Sequence, residues 1–265
     1  MTMKTKPKDK NRPIGFMDSG VGGISVLKEA VKVLPREDFI YYGDSANAPY
    51  GTKSSKEIKE LTFKAVDVLM GYDIKALVVA CNTATSSAIR DLRVKFPEMP
   101  IIGIEPAVKP AVVCSRGGRI IVMATPMTIR QRKFRELVST YETEADIVPL
   151  ACEGLMEFVE EGLKDQGEIN KYYEETLGPV LTDDTESIVL GCTHYPFLRE
   201  SLKEYLGDRN IMLIDGSKGT SSQLKLRLAD SGLLRTDEHN GTVTMLNSSE
   251  DPKMIDLSWR LFNEI

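Results

Sequence analysis

Cys81 and Cys192 stand in matched surroundings. The runs Val78-Val79-Ala80-Cys81-Asn82-Thr83 and Val189-Leu190-Gly191-Cys192-Thr193-His194 each pass from apolar residues through a small residue to a cysteine, then to polar residues. The two thiols lie 111 residues apart. A cysteine between a buried strand and a helix start meets free N–H groups and the positive end of the helix dipole, which favour thiolate. Two such thiols facing one another could take a proton from one side of a molecule and return one to the other. The chain has four cysteines and two histidines, His194 and His239, and His194 follows Cys192 by two positions. Cys114, in Ala111-Val112-Val113-Cys114-Ser115, and Cys152 lack a repeat partner and read as core or structural residues.

Other chemistries fit less well. Cys81, Cys192 and His194 would give zinc three ligands, but the chain has no CxxC or HxxxH spacing and a structural site wants four. A thioredoxin-type mechanism needs neighbouring thiols in one turn. The turn from Asp18 and Ser19 through Gly20, Gly22 and Gly23 begins a dinucleotide fingerprint that fails at Ser25, and no phosphate loop of the GxxxxGK[ST] type occurs. Asp18 has two readings, a helix N-cap or an acid–base partner for a thiol. The loop from Gly43 to Gly51 follows a strand, and N–H groups around Tyr50 and Gly51 could hold a carboxylate.

These residues need a scaffold, and the apolar pattern supplies one. Strands are expected at 14–17, 39–42, 76–80, 101–104, 119–124, 146–150, 187–191, 211–215 and 242–246. Runs apolar on consecutive residues, such as Leu77-Val78-Val79-Ala80 and Ile188-Val189-Leu190, mark strands buried on both faces. Between them Ile58, Leu61, Ala65 and Val68 recur at helical spacing, with Gly71 as the expected C′ stop, and Ile89, Leu92 and Phe96 do the same. Strands alternating with helices imply an α/β protein with mainly parallel sheets. A second echo, Phe16-Met17-Asp18-Ser19 against Val122-Met123-Ala124-Thr125, lies 106 residues apart and supports two similar halves. Ligands of open α/β sheets bind at the C-terminal strand ends, so two such edges facing each other would form a cleft with a thiol on each wall.

The composition of the 265 residues narrows the class. They are 42% hydrophobic and 28% charged with a formal net charge of −5, an ordinary globular balance that argues against a dedicated nucleic-acid partner. No stretch approaches the ~18 apolar residues of a membrane span. The start carries Lys4, Lys6, Lys8, Lys10 and Arg12 against Asp9, and its apolar run is too short for a signal peptide. A basic flexible head over 1–13 and a cytoplasmic location with reduced thiols are the expectations.

Taken together, Asp18-Ser19-Gly20-Val21-Gly22-Gly23, Pro49-Tyr50-Gly51, Cys81-Asn82-Thr83-Ala84 and Gly191-Cys192-Thr193-His194-Tyr195-Pro196 resemble the glutamate racemases. Four motifs in the right order are specific where each alone is weak. His194 separates the chain from aspartate racemases, which typically carry an acidic residue there. The resemblance implies two α/β domains around the active site, here 14–103 plus 214–265 and 104–213. It also implies interconversion of L- and D-glutamate with no cofactor and no metal, supplying D-glutamate for peptidoglycan, and a homodimer. Cys81 would deprotonate D-glutamate and Cys192 L-glutamate, with Asp18 and His194 assisting. Ser19, Tyr50, Gly51, Asn82, Thr83 and Thr193 would hold substrate with Asp18 and His194. A further family carboxylate falls at Glu160, with Glu157 as rival because Glu153 stands where the family has proline. A relative acting on aspartate or another small acid, and a non-catalytic amino-acid binding protein, are the alternatives.

Overall fold

In the computed structural model, residues 9–163 and 165–264 are described, Glu264 by its backbone alone. Two parallel sheets form the frame. The first has the order β4 (Ile101–Gly103), β3 (Ala76–Val79), β1 (Ile14–Asp18), β2 (Phe39–Gly43), β9 (Val243–Asn247), and the second β6 (Asp146–Ala151), β5 (Arg119–Ala124), β7 (Thr185–Leu190), β8 (Met212–Asp215). Every pairing in both sheets is parallel.

The consecutive apolar runs are explained by burial on both faces. Along β3, Ala76 and Val78 enter one core and Leu77 and Val79 another, as the two-residue period of a strand requires. On one face of the first sheet lie α2 (Ser55–Met70) and α3 (Asn82–Lys95); on the other lie α1 (Ile24–Val33), α10 (Ser217–Asp230) and α11 (Pro252–Glu264). The second sheet is covered by α4 (Val108–Cys114), α5 (Pro126–Arg130) and α6 (Arg132–Ser139) on one face. On the other are α7 (Leu155–Glu160), α8 (Gln166–Thr176) and α9 (Arg199–Leu206). One apolar core joins Phe16 and Val78 of the first sheet to Ile121 and Ile188 of the second, so the halves share an interior. No helix among the described residues is long and apolar enough to cross a membrane.

Several local expectations change. Helix α2 starts at a capping box, Ser54 with Glu57, but Gly71 ends it at φ −62° and the left-handed residue is Asp73 at φ 54°. Val68 is 40% exposed and Thr62 is buried in the stripe instead, its hydroxyl satisfied by the Ile58 carbonyl at 2.7 Å. Cys114 is exposed at the end of α4 rather than in the core, because the apolar contacts of that short helix come from Val108, Ala111 and Val112. The second sheet ends with β8 paired to β7 through Asp215.

A buried charge cluster ties the returning tail to the first sheet. Lys75, just before β3, donates to Glu37 and to the Lys10 carbonyl, and both ionic side chains are almost fully buried. The other Glu37 oxygen accepts the Arg235 N–H at 2.8 Å, while Asp38 accepts from Arg235, His239 and Thr242. Burial opposes the Asp38 charge, but these donors outweigh it and hold the carboxyl well below its usual range. Of the basic head, residues 1–8 lie outside the described residues; Lys10 reaches Thr236 at 2.9 Å and Arg12 reaches Asp73 at 3.2 Å. Glu37→Ala strands the Lys75 ammonium in the interior, so unfolding in denaturant is expected to show a loss of about 3–5 kcal/mol.

Candidate active site

Cys81 follows β3 and is the N-cap of α3, as the sequence pattern requires. Its Sγ accepts the Ala84 N–H at 3.4 Å and its carbonyl accepts the Thr85 N–H at 2.8 Å. The first N–H groups of the helix, on Asn82 and Thr83, are therefore left for something else. The thiol donates to Ser19 Oγ at 3.5 Å. Burial and the neighbouring Asp18 push it up to about 12, and a charge on Cys192 is felt there too. The two sulfurs thus share one electrostatic environment.

Cys192 departs from the expected helix start. After β7 the chain makes a turn and then a 3-10 turn at Tyr195–Leu198, and α9 begins only at Arg199. Its electrostatic partner is a side chain: His194 Nδ1 lies 3.7 Å from Cys192 Sγ. His194 Nε2 meets Glu160 Oε1 at 2.8 Å, and the same oxygen accepts the Val21 N–H at 3.1 Å. Burial disfavours a charged imidazole, yet Cys192 and Glu160 together overcome it and raise His194 well above its ordinary value. Burial likewise works against the Glu160 carboxylate, but the His194 hydrogen bond prevails and holds it low. Glu157, the rival position, is exposed and faces an outer pocket with Arg130 and Glu153.

The raised His194 value carries a sign. A histidine whose folded pKa exceeds the unfolded value of about 6.5 contributes stability that is complete below that pH. The contribution is lost as pH rises through the folded value. Glu160→Gln removes the partner, so ¹⁵N spectra of the His194 ring should show its titration moving to lower pH, and unchanged titration would refute the coupling.

Asp18 closes the first strand, fully buried. It accepts the Gly20 N–H at 3.1 Å and the Thr193 hydroxyl at 3.3 Å, so it links the glycine turn to the Cys192 loop. Burial pushes its carboxyl up and His194 works against that. It does not cap α1, which begins at Ile24 after Gly23. Two glycines of this turn are required by close approach: a Cβ at Gly22 would lie 2.3 Å from His194 Nδ1, and one at Gly20 would lie 2.1 Å from Glu160 Oε1. Ser25, at the start of α1, donates to the Thr193 carbonyl at 2.9 Å and fastens the same loop.

These groups surround a narrow cavity lined by Ser19, Tyr50, Gly51, Cys81, Asn82, Thr83, Thr125, Met156, Cys192, Thr193 and His194. Asp18 and Glu160 stand behind its wall. The Tyr50 hydroxyl is taken up by Asp44 Oδ2 at 2.6 Å, so the backbone at the start of its 3-10 turn is the part free to act. Asn82 Oδ1 is buried with no hydrogen-bond partner among the described residues, and Asn82 lines this cavity. An unpaired buried acceptor calls for a donor on the ligand. Thr125 and Met156 were not anticipated. Thr125 stands at the repeat position of Ser19 and joins Thr83 at 3.2 Å and Thr128 at 3.0 Å, so the repeat held the signal that would have found it. Nothing in the sequence marks Met156.

Two parallel α/β sheets whose strand-end loops bring two thiols and an imidazole to one small cavity, with two carboxylates behind its wall, define a site for a small molecule. The model of the Asp/Glu/Hydantoin racemase family matches residues 14–220, and the chain belongs to that family. It is 56% identical over 253 residues to a glutamate racemase of Clostridium botulinum, an alignment covering 96% of this chain and 98% of the relative. Among solved structures, a glutamate racemase isoform of Bacillus anthracis superposes with a TM-score of 0.85 at 31% identity, over 95% of this chain and 94% of that one. The glutamate racemase of Francisella tularensis, solved with D-glutamate, gives 0.82 at 28% identity over 97% and 95%.

Proposed function

We propose that this protein interconverts L- and D-glutamate without a cofactor, with Cys81 and Cys192 as acid–base thiols on opposite faces of the α-carbon. The observation that carries the proposal is the meeting of both thiols in one narrow cavity, each with its own polar partners. The glutamate racemases to which the chain is similar over nearly its whole length support the substrate.

The groups around the cavity suit a dicarboxylic amino acid. The N–H groups of Asn82 and Thr83, at the positive end of α3, suit the α-carboxylate. Asn82 Oδ1, with Asp18 behind the cavity wall, suits the α-ammonium, and the N–H groups of Tyr50 and Gly51 suit the side-chain carboxylate. Ser19, Thr193 and Thr125 complete the polar wall. Inversion removes the α-proton from one face and delivers another to the opposite face, so one thiol begins as thiolate and the other as thiol. Cys192 takes the proton of L-glutamate and Cys81 that of D-glutamate. As negative charge grows toward the α-carboxylate, the fixed N–H donors gain strength once domain closure excludes bulk water. His194, held charged against Glu160, stabilises negative charge on Cys192, and Asp18 serves the Cys81 side.

The first domain, 14–103 plus 214–265, and the second, 104–213, would open to admit substrate and close around it. Supply of D-glutamate for peptidoglycan in the cytoplasm, and a homodimeric assembly, follow from the family resemblance. Incubating pure enantiomers of glutamate and aspartate and following optical activity tests the assignment. Glutamate is expected to racemise and aspartate to keep its sign; equal turnover of both, or binding without loss of rotation, would refute it.

A further inference from the structure

Tyr41 lies on β2 beside Phe16 of β1 and is wholly buried. Its hydroxyl donates to the Gly20 carbonyl at 2.7 Å. That carbonyl belongs to the same peptide unit as the Val21 N–H, and in a trans peptide the two point in opposite directions. The Val21 N–H donates to Glu160 Oε1 at 3.1 Å, the same oxygen meets His194 Nε2 at 2.8 Å, and His194 Nδ1 stands 3.7 Å from Cys192 Sγ. An unbroken line of polar contacts therefore joins a tyrosine of the first sheet to a thiol at the end of the second. We propose that Tyr41 is a positioning residue for proton transfer at Cys192, acting through the Gly20–Val21 peptide on Glu160 and His194.

The strand is shaped for this contact. Gly43, two residues along β2 and so on the same face as Tyr41, has its Cβ position 2.3 Å from the Gly20 oxygen. Strand β2 thus provides both the donor and the space for that carbonyl. A donor on the carbonyl side polarises the peptide and strengthens the N–H on the other side, which is the group that supports the Glu160 carboxylate. Burial, with Asp18, Glu160 and Cys81 nearby, keeps the phenol neutral far into alkali, so Tyr41 remains a donor throughout the working range. The ionisable groups facing Glu160 are His194, Asp18 and Tyr41, with Cys81 and Cys192 beyond them.

The inference rests on the racemase reading above, and its test separates the two. In Tyr41→Phe, kcat is expected to fall about tenfold, the scale of one lost hydrogen bond, while KM for glutamate stays within about twofold. The acidic limb of the kcat profile, where Glu160 takes up a proton, moves to higher pH because the carboxylate loses part of its N–H support. The same displacement should appear without substrate in the ¹⁵N shifts of the His194 ring as they respond to Glu160. Gly43→Ala, whose added Cβ would force the same carbonyl away from the Tyr41 hydroxyl, should displace the limb in the same direction and serves if Tyr41→Phe fails to fold. A folded variant with kcat and the limb unchanged, or with kcat lowered and the limb unmoved, overturns the proposal. Wild-type protein inactive on glutamate counts against the racemase reading, and the His194 spectra still decide the role of Tyr41.

Discussion

Cys81→Ala and Cys192→Ala each lower racemisation by about 10⁴-fold or more, the upper end of what one positioned acid–base group contributes. The loss is this large because no other group can replace the missing thiol on its face. Asp18 is engaged by Gly20 and Thr193, and His194 by Glu160 and Cys192. The variants should nevertheless differ in what survives. Cys81→Ala keeps the thiol assigned to L-glutamate and should exchange the α-proton of that enantiomer with solvent without inverting it. Cys192→Ala should do the same for D-glutamate alone. Proton NMR of each pure enantiomer in D₂O reads both arms. Exchange of both enantiomers by one variant would show a second base on the vacated face.

Gly22→Ala gives the second large effect without touching a reacting group. The added Cβ would stand 2.3 Å from His194 Nδ1 and 2.7 Å from Thr193 Oγ1, so the loop that carries Cys192 must move. A displacement near 1 Å at a reacting group costs about 10²-fold, and that is the expected fall in kcat/KM. Enantiomers have equal free energy, so the fall must be the same from L- and from D-glutamate, which circular dichroism measures in both directions. Gly219→Ala on α10 is the control. Nothing lies within 4 Å of its Cβ position, and alanine there should leave activity unchanged and stability unchanged or slightly raised. Wild-type kcat/KM in Gly22→Ala would show that the closeness of the His194 loop to the glycine turn is not needed for catalysis.

Much of the frame was legible because buried parallel strands write an unusual signature. All nine expected strands appear, since runs such as Leu77 to Val79 and Ile188 to Leu190 must be apolar on both faces. The cavity residues at strand ends were legible for the same reason, as the repeat placed Cys81 and Cys192 at equivalent edges. The repeat misled at one point. It called for a helix straight after Cys192, but Pro196 lacks an N–H and Tyr195 and Phe197 are drawn into the core, so the chain turns before α9 can start. The electrostatic support that Cys81 takes from a helix N-terminus comes to Cys192 from His194 instead. The link from Glu160 to Val21, 139 residues away, and the unpaired Asn82 oxygen depend on tertiary placement that no local spacing encodes. The same holds for the exposure of Cys114, where short α4 ends with Val113 and Cys114 in solvent.

Opposed proton transfer is tested most directly by racemising pure L-glutamate in D₂O with the wild-type protein and analysing both enantiomers at low conversion. Two thiols on opposite faces predict that the D-glutamate formed carries deuterium at the α-carbon, while the remaining L-glutamate is still protiated. D-glutamate that retains the original α-proton would mean that one group removes and returns it, and would contradict the assignment of Cys81 and Cys192 to opposite faces.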